Sequence, residues 1–291
     1  MELIKLLPND PYASSKGGYA SFSINNNMID FFRLSTKDFN PAHDKSKVDN
    51  PIALGFQLDF VIKQLIDSYL RKYHAKTSLF YKSQRTVFSD KVFPDELLAL
   101  SFGYEDNNVD DTITRRFNTI VKKYGLPSCD TINGNGCVVK QGSYIEYAEV
   151  LPEKNLDFVS GYCHKLNLED VALTMLGLGT VNLDVLAFAV SLSSGTLANI
   201  IEEQESEMIN DESYSEFLNP ENNFIYRNHM IEVFKGSEKL SIGDSVNIAL
   251  TKFKRHEKAG IPMYKIEMRG YNEQEKPIFS FNTTLICEKN N

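Results

Sequence analysis

The sequence predicts an α+β protein made of two similar units in one chain, residues 1–152 and 153–291, each pairing a long apolar helix with a curved antiparallel sheet. Three observations lead there. The order strand, loop, long helix, run of strands occurs twice along the 291 residues. Its period is far longer than any solenoid repeat, which leaves a duplicated domain. The composition, 42% hydrophobic and 24% charged, belongs to a globular chain rather than a disordered or fibrous one.

In the first unit, residues 19–35 read as a strand, followed by the polar loop STKDFNPAHDKSKVDNP. Residues 52–73 read as a helix: Phe56, Phe60, Ile62, Leu65, Ile66 and Tyr69 recur at spacings of three and four, so one stripe faces a core. Strand-like runs follow at 77–81, 85–92, 97–104, 112–121 and 137–150. Turn chemistry at 93–96, 105–108 and in the INGNG of 132–136 divides them. In the second unit, 157–164 reads as a strand, and 168–178 and 183–192 as helices. SSGTLANIIEEQ at 193–204 continues the second of these. Strands are expected at 224–234, 245–254, 263–271 and 278–287, with turns at 241–244 and 272–277.

Charge and composition exclude several functions. The net charge is −8, from 31 basic and 39 acidic residues, which argues against a nucleic-acid partner. The excess sits in one place: residues 202–221 carry eight acidic side chains and no Lys or Arg, the pattern of a solvated linker. No apolar run approaches the roughly 18 residues that cross a bilayer, and the N-terminus lacks the basic and long apolar regions of a signal peptide. A soluble, unprocessed cytoplasmic protein with no membrane partner is the expectation. Cys129, Cys137, Cys163 and Cys287 form no CxxC pair, so reduced thiols are expected. His43, His74, His164, His229 and His256 are scattered, with no HExxH, so no metal site is expected. There is no phosphate-binding glycine loop and no GxSxG elbow; the NGNG at 133–136 suits a hairpin.

The chemistry concentrates before the first long helix. Asp38-Phe39-Asn40-Pro41-Ala42-His43 sets an acid, an amide and an imidazole around a proline, and Pro51-Ile52-Ala53-Leu54-Gly55 opens the helix. Taken singly, Asp38 also suits a turn or cap, and His43 a surface position. Together, residues 36–56 resemble the MaoC-like, (R)-specific enoyl-CoA hydratases. That resemblance implies the hot dog fold, with two units in one chain, hence a double hot dog of two antiparallel sheets, each wrapping a long central helix. It also implies a hydro-lyase of fatty acid metabolism. Such an enzyme reversibly hydrates trans-2-enoyl thioesters, or dehydrates (3R)-hydroxyacyl thioesters.

The resemblance assigns roles to single residues. Asp38 and His43 would hold and activate one water as base and acid. The residue types suit that work, because histidine titrates near neutral pH and a neighbouring carboxylate can be tuned by burial. Asn40 would orient the water or the Asp38 carboxylate, and Pro41 would stiffen the loop. Gly55 would offer its backbone N–H to the thioester oxygen, with the helix dipole favouring the charge that develops there. The chain departs from the family in two respects: the stretch from Asp38 to Gly55 is short, as though a covering overhang were trimmed, and Leu54 stands where a histidine is frequent. In the second unit Asn182 aligns with Asn40, but Thr180 and Val185 stand at the acid and imidazole positions, and Ser194-Gly195 parallels Leu54-Gly55. The second unit is therefore expected to lack the chemistry and to shape an acyl-binding cavity, with Asn182 and Gly195 as substrate-binding residues.

The implied partner is an acyl thioester of CoA or of acyl carrier protein, with no further cofactor; a homodimer is left open. Lys82 with Arg85, Arg115 with Arg116, and Lys122 with Lys123 are the basic pairs expected at the mouth of the cavity, and the acidic segment is expected to lie away from it. Two rivals stand beside the hydratase. A thioesterase on the same fold would use a helix carboxylate, Asp59 or Asp67. A non-catalytic acyl-binding protein would use neither motif. His164, at a strand end, is expected to be structural.

Overall fold

The computed structural model describes residues 17–38, 40–73, 79–109, 112–124, 130–140, 160–180, 184–203, 208–209, 212–213, 216 and 222–289. The first unit runs β1 (Gly17–Phe22), α1 (Asn26–Thr36), a 3-10 turn (Pro41–His43), α2 (Gly55–Tyr73), β2 (Leu79–Phe88), β3 (Leu98–Val109), β4 (Thr112–Lys123) and β5 (Asp130–Lys140). The second runs β6 (Ser160–Lys165), α3 (Leu168–Gly177), α4 (Val185–Glu203), the short β7 (Met208–Ile209) and β8 (Glu212–Ser213), then β9 (Asn222–Val233), a 3-10 turn (Ser237–Lys239), β10 (Ser245–Lys258), β11 (Ile261–Tyr271) and β12 (Pro277–Lys289). The expected boundary at 152/153 lies outside the described residues.

The expectation of two sheets is corrected. Ten antiparallel strands form one sheet in the order β1-β3-β4-β5-β2-β9-β12-β11-β10-β6. It is two five-stranded units joined edge to edge, since β2 pairs with β9 from Ser83↔Glu232 to Val87↔Asn228. Pairing at that edge satisfies backbone groups that either unit alone would expose. One hydrophobic cluster runs through both units. Residues 51–62, leading into and along α2, are all buried, and so are 187–197 of α4.

A second correction concerns residues 19–35, expected as one strand. Only Gly17–Phe22 is strand, and α1 follows. The Asn25 side chain accepts the Met28 N–H (3.0 Å) as a helix cap, and the buried Ile29, Phe32 and Thr36 share one helical face. The runs 77–81 and 85–92 are not two strands: Leu79–Phe88 is continuous, with 77–78 outside the described residues. The sequence INGNG is not a turn but part of β5. Its glycines admit the neighbouring strand: a Cβ on Gly134 would lie 2.5 Å from Thr119 Oγ1, and one on Gly136 would strike the Phe117 ring. Residues 105–108 likewise belong to β3.

Helices α1 and α3 pack together, with the Ser35 and Thr174 hydroxyls 2.7 Å apart. Gln57 of α2 donates to the Gly177 carbonyl at the end of α3 (2.7 Å). Lys63 of α2 binds Asp184, just before α4, at 2.7 Å and Asp67 at 3.3 Å. Burial opposes its charge, yet the two carboxylates outweigh burial and raise its pKa above the ordinary lysine value. No described helix is long and apolar enough to cross a membrane.

Candidate active site

The loop between α1 and α2 is built by local hydrogen bonds. Helix α1 ends with Lys37 in the left-handed region (φ 57°), where Lys37 N–H donates to Leu34 O and Asp38 N–H to Arg33 O. This paired closure fixes where Asp38 leaves the helix. Gly195 makes room for it: a Cβ there would collide with the carbonyl oxygens of Thr36 and Lys37. Asn40 N–H then donates to Asp38 Oδ1 (3.1 Å). The Asn40 side chain accepts from Ala42 N–H (3.2 Å) and donates to Phe224 O on β9 (2.6 Å). Pro41 opens the 3-10 turn, His43 N–H closes it on Asn40 O (3.0 Å), and Ile52 N–H returns to Ala42 O (2.9 Å). Arg33 holds Asp44 at 3.3 Å and Lys45 holds Asp30 at 2.7 Å. Hydrogen bonds from Ser46, with Arg33 and Lys47 beside it, keep the Asp44 carboxyl below its usual pKa.

His43 is buried, 1% exposed. Its Nδ1 lies 2.8 Å from Ile52 O. A carbonyl only accepts, so Nδ1 carries the hydrogen and Nε2 is the exchangeable position. Nε2 is buried with no partner. It belongs to a residue that lines a small pocket at the start of α2, together with Gly55, Leu58, Phe88 and Tyr226, with Asp90 and Lys91 at its rim. The pocket is a partly open cleft with room of about 20 Å³ for the centre of a water, which suits one water molecule. Asp38, 5% exposed, is not part of that lining; its charge acts on Tyr226, which is. Burial, and then the Asp38 charge, push the Tyr226 phenol well above its usual pKa, so Tyr226 stays an O–H donor at neutral pH.

Of the residues singled out from the sequence, His43 and Gly55 line this pocket, whereas Asp38 and Asn40 belong to the loop that leads to it, so Asp38 does not face His43 across the pocket as expected. Asn40 spends both ends of its amide on the loop and on β9, so it positions the loop. Gly55 is the first residue of α2, which begins later than the expected Ile52. Gly195 is not the matching helix start but lies inside α4, against the approach to Asp38. Asn182 lies outside the described residues. His164 is structural: its Nε2 is 2.7 Å from Thr196 Oγ1, and burial, helped by the Lys37 charge, depresses its pKa to about 4. None of the three basic pairs lines the pocket. Lys91 does, and Lys123 reaches the rim through a 2.9 Å ion pair with Asp90. Most of the acidic segment lies outside the described residues. Within it, Glu216 is bound by Arg255 (2.7 Å) and by the Tyr264 hydroxyl, and it does not line the pocket. Among the described residues, no three His, Cys, Asp or Glu side chains cluster as metal ligands would.

The sequence reading missed His229. It sits on β9, 1% exposed, with Nδ1 2.5 Å from Oδ2 of the fully buried Asp59 on α2. Gln84 donates to the other Asp59 oxygen at 3.2 Å. A Cβ on Gly55 would come within 2.6 Å of His229 Cε1, so the bare glycine serves the ring packed beneath it. Spacing carries no signal for a partner so far along the chain.

No family model matches the sequence, and no curated protein matches it. Solved structures do. A Mycobacterium tuberculosis protein described as having a double hotdog fold superposes with a TM-score of 0.62 at 6% identity, over 94% of this chain and 97% of that one. The fold is the double hot dog. A MaoC-like dehydratase shares it (TM-score 0.59, 8% identity, 94% of this chain and 98% of that one). So does the full-length peroxisomal multifunctional enzyme type 2 of Drosophila melanogaster (TM-score 0.58, 11% identity, 92% of this chain), of which this chain spans 48%. In this fold the start of α2 lies beside the second unit, where Gly55 meets His229 of β9.

Proposed function

We propose that the chain is a hydro-lyase acting on acyl thioesters of CoA or acyl carrier protein, adding water to trans-2-enoyl groups or removing it from (3R)-hydroxyacyl groups. The observation that carries this reading is the His43 Nε2, buried and unpartnered on a pocket the size of one water. With Nδ1 tied to Ile52 O, the neutral ring presents a lone pair to that water and takes its proton as oxygen bonds to C3. Asp38, whose charge acts on the Tyr226 of the same pocket, balances the imidazolium that forms. The first-turn N–H groups of α2 receive the thioester oxygen as negative charge grows on it. The carrier's anionic arm passes the Lys91 side of the rim.

The geometry disfavours the rival with a helix carboxylate, because both oxygens of Asp59 are engaged by His229 and Gln84. The non-catalytic reading leaves the free His43 nitrogen without a purpose, and a buried polar atom without a partner is unfavourable. Loss of the enoyl ultraviolet absorbance on mixing the protein with crotonyl-CoA and longer enoyl-CoAs is the test. Turnover is expected; none with any chain length or carrier overturns the proposal.

A further inference from the structure

We propose that His229, held by Asp59, is the second proton-transfer group of this pocket and serves C2 of the acyl group beside Gly55; the inference rests on the hydro-lyase reading. The Asp59 carboxylate only accepts, so the His229 nitrogen 2.5 Å from it carries its hydrogen, and Nε2 is the exchangeable position. That nitrogen is buried without a partner. The ring lies among Phe56, Phe88, Tyr226 and Phe281, at centroid distances of 4.5–5.0 Å. In such a cage Nδ1 pairs with the buried Asp59 oxygen, which any single donor could do; Nε2 adds a second polar atom that this pairing leaves unsatisfied. Nε2 faces the start of α2: a Cβ on Gly55 would lie 3.0 Å from it. Gly55, Phe88 and Tyr226 touch this ring and also line the His43 pocket. Two imidazoles of the same design thus stand at the start of α2, each with Nδ1 fixed by an acceptor and Nε2 unpartnered: His43 lines the pocket, and His229 sits behind Gly55 and Tyr226 of its wall. One is contributed by each unit.

The step balances. In hydration, His43 Nε2 takes a proton from water and the hydroxide oxygen bonds to C3. The C2–C3 π pair becomes a C2–H bond with the proton on Nε2 of doubly protonated His229, whose charge Asp59 offsets. His43 ends protonated and His229 neutral, and proton exchange with solvent resets both. Dehydration runs these transfers backwards. His229 then removes a C2 proton, which it can also do from a saturated thioester that has nothing to dehydrate.

That last property gives the test. The full chain is incubated with butyryl-CoA in deuterated water, and deuterium at C2 is followed by NMR alongside crotonyl-CoA hydration. Wild type is expected to exchange C2 hydrogens. His229→Gln should slow exchange and lower hydration kcat at least about 100-fold, the low end for an acid–base group. Asp59→Asn, which keeps size and removes the charge, should slow exchange at least about tenfold and stands in if His229→Gln does not fold. Exchange at the wild-type rate in folded His229→Gln overturns the inference even where crotonyl-CoA is hydrated. Exchange that depends on His229 without hydration overturns the hydro-lyase reading and leaves this site standing. Wild type that neither exchanges nor hydrates overturns both.

Discussion

The two long helices of the double hot dog begin differently. Eighteen residues, 37–54, join α1 to α2, whereas seven, 178–184, join α3 to α4. At α4 the short connection ends on Asp184, whose carboxylate accepts the Ala187 N–H at 2.9 Å and binds Lys63 at 2.7 Å. At α2 the preceding residue is Leu54, which cannot cap. Among the described residues no side chain accepts from the N–H groups of Gly55, Phe56 or Gln57. One helix end is closed by the chain's own carboxylate; the other borders a water-sized pocket, with two unpartnered imidazole nitrogens beside it. The repeated framework thus separates into a capped end and an uncapped one through the length and content of a single connection.

Four experiments would break or sharpen that contrast. The largest effect is expected from His43→Ala, which should lower kcat for enoyl-CoA hydration at least about 100-fold while circular dichroism stays native. Thr180→Ala in the short connection should leave the rate within about twofold, and an equal loss from both would erase the distinction. Next is Gly55→Ala. An alanine usually stabilises a helix relative to glycine, but here its methyl would lie 2.6 Å from His229 Cε1, so denaturant unfolding should show a loss of about 1–3 kcal/mol. A gain would mean that His229 does not press on the helix start. Asp184→Ala should cost more than the roughly 1 kcal/mol of a lost cap, because it also removes the 2.7 Å partner of Lys63, and it should leave the rate unchanged. The smallest effect at neutral pH concerns His164. Its folded pKa is depressed from 6.5 to about 4 by burial and then Lys37, so as pH falls through that window the unfolded chain binds the proton first. Stability should fall between those limits and level off below them. Thermal melts of His164→Gln should lack that dependence.

The second unit was the more legible in sequence. Its strands β9, β10, β11 and β12 lie close to where the sequence pattern puts them. The first unit misled where local signals compete. The Asn25 cap with buried Ile29, Phe32 and Thr36 at helical spacing was available in sequence, but the run of apolar residues before it reads equally well as a strand. The glycines of β5 look like a turn because nothing local reveals that Phe117 and Thr119 must lie against them. The loop from Asp38 to His43 could be read because its residues are contiguous. His229 could not, since its meaning comes from Asp59 and Gly55, brought to it only by the β2–β9 pairing.

That pairing has a consequence for what the fused chain can do that a dimer of single units cannot. In a twofold dimer every substitution at the joint appears on both sides at once, because each surface meets its own copy. Here Thr86 lies opposite His229, and Gln84 opposite Ile231. The two sides of the joint can therefore drift apart, one toward hydrogen-bond support for a buried acid, the other toward an imidazole. Covalent linkage turns a mirror into a division of labour. It also makes each half depend on the other as a lid for its bare strand edge, so cutting the chain between β5 and β6 would be expected to yield fragments that seek a new edge to pair with.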